Sequence, residues 1–308
     1  MDVFLYNGPM ERGADLDFIE WVSSEQKSKD LLLLIVTNGG NPDAAYKIGR
    51  HLQNKYDNMS AFVPGLCKSA GTLIAIAANE IVFTPYGELG PLDIQLTKRD
   101  DLLSKESGLN IGEAFSTLES RARDTYNTLI QEILANSGGI VSFTTASHSA
   151  AEILGGLYGP IFARIDPEEV GSRARAMRIG EDYGARLDVK FSNLKNGALN
   201  FLSQKYPSHG FVIDFQESQL LFNRVREATE AEQILVQTVG KSCRMPQHTL
   251  KKTNLTATYA QIVGDMQKDG KAENEGTDAT GSRDASAPAR SARPAGKAKR
   301  PSSRKSAS

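Results

Sequence analysis

Six consecutive apolar residues, Leu31 to Val36, stand between Asp30 and Thr37. An apolar run without polar alternation is what a strand covered on both faces needs, so it predicts a strand of a parallel sheet. The run ends in Thr37-Asn38-Gly39-Gly40-Asn41-Pro42-Asp43, and then Ala44, Ala45, Ile48 and Leu52 recur at helical spacing. Pro42 suits the first turn of that helix and Asn41 is its candidate cap. The helix is expected to reach about Tyr56, and Met59 to Val63 reads as the next buried strand. After Pro64 to Thr72 comes Leu73 to Ala78, with the composition of a packed helix, and Glu80 to Thr84 reads as another strand. Upstream, Val3 to Tyr6 is a short first strand and Asn7-Gly8-Pro9 a turn. From Ala14, the positions Leu16, Ile19 and Val22 give an amphipathic helix, with Trp21 packed near it. This βαβα rhythm predicts an α/β fold, a parallel sheet with covering helices and right-handed crossovers.

Further on, the pattern is more helical. Pro85 to Gln95 is a glycine- and proline-containing loop. Leu102 to Asn136 reads as one long helix, and Ser149 to Leu157 as another inside the small-residue stretch Gly138 to Gly159. Asp166 to Gly184 is charged and helical, with arginines interleaved among acids as on a solvated face. Phe211 to Asp214 reads as an apolar strand, and Glu217, Leu220, Leu221 and Val225 follow at helical spacing. Past about Thr253 the pattern dissolves. The expected organisation is one domain over residues 1–260 and a disordered basic tail over 261–308, whose composition cannot offset the entropy of ordering.

Composition narrows the class. The chain has 308 residues, 40% of them hydrophobic, enough for a full core. Its formal charge of −1 gives no bulk preference for nucleic acid, but Gly281 to Ser308 holds eight basic residues against one acid, Asp284. Such a tail fits an acidic partner or nucleic acid, or serves only solubility. Two cysteines, Cys67 and Cys243, give no disulfide framework, so a reducing compartment, the cytoplasm, is expected. No signal peptide and no apolar run of membrane-spanning length is read. No cofactor and no metal is expected.

The chemistry centres on Pro64-Gly65-Leu66-Cys67-Lys68-Ser69-Ala70-Gly71-Thr72. Ser69 falls at a strand-to-helix turn, where the first helical amides lack internal partners and would stabilise an oxyanion. A serine there also has a plain role as an N-cap. The Gly39-Gly40 pair follows the neighbouring strand and can present bare amides to an anion. Both elements then sit at carboxyl ends of adjacent strands, the edge on which open α/β sheets place their sites.

Asn38-Gly39-Gly40, Lys68-Ser69-Ala70-Gly71-Thr72 and Leu89-Gly90-Pro91-Leu92-Asp93-Ile94-Gln95, in that order and spacing, resemble the serine dehydrogenase proteinase family. That family stands beside signal peptide peptidase A and the Clp peptidases in the ClpP/crotonase-like fold. The resemblance covers roughly residues 1–230. It implies Ser69 as nucleophile and the amides of the Gly39-Gly40 turn, Gly40 above all, and of Ala70 as oxyanion hole.

The base is open. Clp peptidases carry a histidine near the loop that here holds Gly90, Pro91 and Asp93 but no histidine. Signal peptide peptidase relatives use a lysine a few tens of residues past the serine, a range occupied by Lys98 and Lys105. Both read as solvated charges, and a lysine base needs its pKa lowered by burial or a neighbouring cation. The family carries a histidine in a late short motif, matched by Tyr206-Pro207-Ser208-His209-Gly210. His209 is a candidate general base near neutral pH, or a packing residue. His148 is a weaker rival, and His51 and His248 receive no role. Lys68, Gly71 and Asp93 are expected along a substrate groove, Lys68 turned away from the hydroxyl and Asp93 otherwise a turn aspartate. Three functions are consistent with this set: a serine peptidase acting on protein or peptide substrates as a homo-oligomer, a crotonase-type acyl-CoA enzyme, or an inactive relative serving as an assembly platform.

Overall fold

A computed structural model describes residues 1–92, 96–97, 105–106, 108–208 and 210–278. The chain divides into two compact units, Met1–Gly264 and Asp265–Ser308. The first half alternates as expected: β1 (Asp2–Asn7), α1 (Ala14–Glu25), β2 (Asp30–Val36), α2 (Pro42–Lys55), β3 (Asn58–Val63), β4 (Leu66–Cys67), α3 (Ala70–Ile76), β5 (Glu80–Phe83) and β6 (Glu88–Leu89). There follow β7 (Leu96–Thr97), β8 (Lys105–Glu106), α4 (Gly108–Asn136), α5 (Phe143–Phe162), α6 (Pro167–Phe191), α7 (Ala198–Gln204), α8 (Phe215–Leu221), β9 (Val225–Glu227), α9 (Glu230–Val239), β10 (Lys251–Asn254) and α10 (Thr256–Asp278).

The main sheet runs β10-β1-β2-β3-β5-β9. Every pairing in it is parallel except that of β10 with β1. The apolar run of β2 explains its central place. Leu31, Leu33 and Ile35 enter the core beneath α1, α2 and α3, whereas Leu32, Leu34 and Val36 enter the opposite core with Leu235, Val236 and Cys243. Both faces are covered, so no position of the run is free to be polar, and each buried leucine contributes about 2 kcal/mol. Asn41 caps α2 as its position predicts, its side chain accepting from the amides of Asp43 (2.8 Å) and Ala44 (3.2 Å). Trp21 packs on Phe4 with ring centroids 5.0 Å apart.

Four expectations are corrected. The long helix begins at Gly108 rather than Leu102, because Lys105–Glu106 pairs with Leu96–Thr97 as a short antiparallel ladder. Val225 leaves the helical spacing of α8 to start β9, which adds to the sheet through main-chain bonds to β5. Phe211 to Asp214 forms no full strand: Ile213 makes a single antiparallel bridge with Leu89. Past Thr253 the chain does not lose its pattern at once, since β10 closes the sheet edge and α10 continues to Asp278. In the second unit, Lys268 pairs with Asp265 within that helix.

One charged network fixes β9 and α9 to the sheet. Arg226 donates to both carboxylate oxygens of Glu232 (2.7 and 2.8 Å) and to Glu80 (3.0 Å). Glu232 also accepts from the amide of Thr229 at 2.7 Å in a reciprocal cap of α9. Burial alone would raise the Glu232 carboxyl, but the Arg226 fork and the Thr229 amide outweigh it and hold the group below its ordinary 4.5. A carboxyl so depressed stabilises the fold fully above its unfolded value and loses that contribution as pH falls through the folded one. Glu232→Gln is therefore expected to cost about 2 kcal/mol at pH 7. In urea unfolding the deficit shrinks below about pH 4.5 and vanishes once the carboxyl is protonated.

Candidate active site

The chain leaving β2 and the strand before Ser69 are stitched together. The Thr37 amide donates to the Leu66 carbonyl (2.8 Å) and the Lys68 amide to the Thr37 carbonyl (2.9 Å). This brings the turn after β2 and the turn after β4 to one place, as expected from their positions at the ends of neighbouring strands. A methyl group on Gly39 would come within 2.7 Å of the Ser69 Cβ and 2.9 Å of the Lys68 carbonyl oxygen.

Ser69 links β4 to α3 with φ 50° and ψ −114°. A side-chain-bearing residue is seldom found there, and the conformation costs about 1–3 kcal/mol. Its surroundings hold it: the Gly71 amide bonds the Lys68 carbonyl (2.9 Å), the Thr72 amide bonds the Ser69 carbonyl (2.8 Å), and the Thr72 hydroxyl donates to the Gly90 carbonyl (2.7 Å). The serine side chain caps none of the first amides of α3. The plain N-cap role is thus not the one it plays. Strained strand-to-helix turns are a recurrent way of presenting a nucleophilic hydroxyl.

Gly39 and Gly40 differ in their hydrogen-bond settings although they adjoin. Gly39 has φ 97°, and its amide donates to the buried hydroxyl of Thr37 at 2.9 Å. That bond shapes the turn. Gly40, at φ 138°, is held from behind by Met10, whose amide donates to the Gly39 carbonyl while its own carbonyl accepts from Asn41. Among the described residues the amides of Gly40 and Ala70 make no hydrogen bond. Both residues line one small cleft with Ser69, Pro42, Leu73, Leu92 and Gly180. Leu92 is set in its wall by the bond from its amide to the Leu202 carbonyl (2.8 Å).

The residues around the serine sort clearly. Cys67 is fully buried, which pushes its thiol up to about 12 despite the nearby Lys68, so it is no rival nucleophile. Lys68 and Gly71 are not among the residues that line this cleft. Lys68 is buried beside the Leu89 and Phe211 carbonyls and Glu88. Gly71 is where α3 passes Thr37 and Cys67, whose side chains leave under 3 Å for a methyl group. Asp93, Lys98 and His209 lie outside the described residues, and Lys105 is described only as backbone, in β8. His148 stands exposed on α5 beside Glu152 (3.5 Å), and His51 meets Ser23 on the outer side of α1 (3.1 Å). Sequence reasoning missed Thr37 as the partner that orients Gly39, although a threonine two residues before a glycine is a known turn signal. It also missed Gly180 of α6, for which no local signal exists.

A parallel-sheet α/β fold with a strained serine beside two amides that lack partners among the described residues defines a class of candidate hydrolases. Comparison with known proteins narrows it: residues 17–102 match the family described as ClpP-like SDH-type serine proteinase. Over that span the resemblance to the serine dehydrogenase proteinases and the ClpP-like fold hold, and at family level they support a serine peptidase. The chain is 35% identical over 80 residues to an uncharacterized protein of Methanocaldococcus jannaschii, covering 26% of this chain and 28% of that protein. This chain therefore matches little more than a quarter of that relative's length. Among solved structures, a point mutant of the 1510-N membrane-bound stomatin-specific protease aligns with TM-score 0.29 and 17% identity over 46% of this chain and 65% of that one. Among the described residues, no helix is long and apolar enough to cross a membrane.

Proposed function

We propose that the protein is a serine peptidase in which Ser69 is the nucleophile and the Gly40 and Ala70 amides form the oxyanion hole. The Ser69 Oγ attacks a peptide carbonyl while a base takes its proton. The two amides hold the tetrahedral oxyanion, the leaving amine departs with the proton, and water then hydrolyses the acyl-enzyme. The reading is carried by one observation: a serine at φ 50° shares a cavity with two amides that lack partners among the described residues. Pro42, Leu73 and Leu92 make that cavity apolar, which favours a small apolar side chain in the substrate.

His209 is the base in this reading, with Lys105 and Lys98 as alternatives. It is supported by Phe211, whose carbonyl is held by Lys68, the residue preceding Ser69 (3.1 Å). In sequence His209 stands two positions before that contact. The reading further includes a homo-oligomer, acting in a reducing compartment, and a basic tail that meets an acidic partner or nucleic acid. Exposed Ile153, Leu157 and Ile161, one stripe of α5, support the oligomer. Light scattering with and without residues 281–308 tests assembly and tail together.

A fluorophosphonate probe tests the centre of the reading. The full-length protein is expected to take the label, and Ser69→Ala to lose it. Labelling that persists in Ser69→Ala would overturn the assignment. Absence of label together with thioester turnover would favour an acyl-CoA enzyme instead.

A further inference from the structure

We infer that Lys68 is a positioning residue for the nucleophile, a strut that sets the Ser69 turn against the segment leading to Ile213. This rests on the peptidase reading of the site. The side chain of Lys68 is 10% exposed, unusual for a lysine, which is seldom buried without partners. Its ammonium donates to the Leu89 carbonyl (3.1 Å) and to the Phe211 carbonyl (3.1 Å), and pairs with Glu88 Oε1 (3.3 Å). These acceptors belong to two separate stretches of chain. Glu88 and Leu89 form β6, which pairs with β4 directly before Lys68. Phe211 belongs to the late segment whose Ile213 exchanges two backbone hydrogen bonds with Leu89 (2.9 and 3.1 Å).

The three stretches thus meet on one positive charge, one residue from the proposed nucleophile. The stem of Lys68 reaches that point by crossing Gly90: a methyl group there would come within 2.8 Å of the Lys68 Cδ. Gly90 also accepts the Thr72 hydroxyl from the first turn of α3. The loop after β6 is therefore held from both sides of Ser69. If the charge is removed, the Phe211 carbonyl loses this donor and must find water or shift, and the Leu89 carbonyl keeps only the Ile213 amide. The late segment moves relative to the serine, and a displacement of about 1 Å at a reacting pair costs on the order of 100-fold in rate.

The test uses the full chain. Lys68→Met keeps the apolar stem and removes the charge. It is expected to lower kcat about 100-fold with KM changed less than about threefold, because the cavity that takes the substrate is intact. Lys68→Arg, which still donates to carbonyls, is expected to recover activity to within about tenfold of wild type. Hydrogen exchange of amides 210–214 is expected to rise at least about tenfold in Lys68→Met, a change that opening of the segment alone predicts. Should Lys68→Met fail to fold, Glu88→Gln serves, since it weakens the hold on the ammonium at a partly exposed group. It is expected to lower kcat about fivefold with thermal stability nearly unchanged. Folded variants with unaltered kcat and unaltered exchange would overturn the inference. If the wild type takes no fluorophosphonate label, the peptidase reading is what fails, and the exchange of residues 210–214 then decides on the strut by itself.

Discussion

Ser69→Ala is expected to lower peptide hydrolysis by a factor on the order of 10⁶, the scale of losing a serine nucleophile while the oxyanion donors remain. The more telling variant is Ser69→Gly. It should be equally inactive, yet more stable than the wild type. At φ 50° and ψ −114° the serine stores about 1–3 kcal/mol of backbone strain, which glycine does not feel. Against this stands about 0.5–1 kcal/mol for the greater freedom of glycine in the unfolded chain. The balance favours the glycine variant by about 1 kcal/mol, readable as a higher urea midpoint at unchanged slope. A serine retained only for packing would give the reverse, a less stable glycine variant, and that result would remove the case for functional strain.

Gly40→Ala is expected to have the largest effect on stability. A methyl group at that position would stand 2.2 Å from the Met10 carbonyl oxygen, and φ 138° is itself hostile to a side chain. The obstacle cannot swing aside. The Met10 carbonyl accepts from Asn41 and the Met10 amide donates to Gly39, so it is main chain locked by main chain. Relief requires parting the chain after β1 from the chain after β2, at a cost above about 4 kcal/mol, much of the stability of an ordinary domain. Thermal unfolding should drop by about 10 °C or more, or the variant should fail to accumulate folded. A folded variant with wild-type melting would show that the Met10–Gly40 bridge yields easily, and with it the rigid presentation of the Gly40 amide.

Where tertiary burial and local chemistry agree, the fold can be read directly from the residues. The apolar run of β2, the Asn41 cap and the serine turn are of this kind, because each states its environment within a few positions. The edge strands are not. Val225-Arg226-Glu227 and Lys251-Lys252-Thr253-Asn254 carry no apolar alternation, and they are strands because a neighbouring strand offers main-chain partners. A helical spacing that stops at Leu221 and an apparently patternless tail hide them equally well.

The site divides along the same line. That Ser69, Gly40 and Ala70 would share one cleft was legible because turn position fixes where backbone amides lie. The different fates of the Gly39 and Gly40 amides were not, since they depend on which way a peptide plane faces, and the Thr37 hydroxyl decides that. Nor does a charged residue beside a serine announce that it will be buried. Lys68 is drawn inward by carbonyls 21 and 143 positions away, beyond the reach of any local pattern.

The antiparallel pairing of β10 with β1 has a consequence for handling the molecule. An open flank on β1 would offer a row of unsatisfied peptide groups to any extended chain that drifted past, the usual seed of intermolecular sheet growth. Lys251 to Asn254 fills that row with the protein's own backbone, with Lys251 exposed and the Lys252 ammonium paired with Asp17. Shortening the polypeptide before Lys251 would therefore trade a soluble rim for an adhesive one, whatever it did to the chemistry at the other end of the strands.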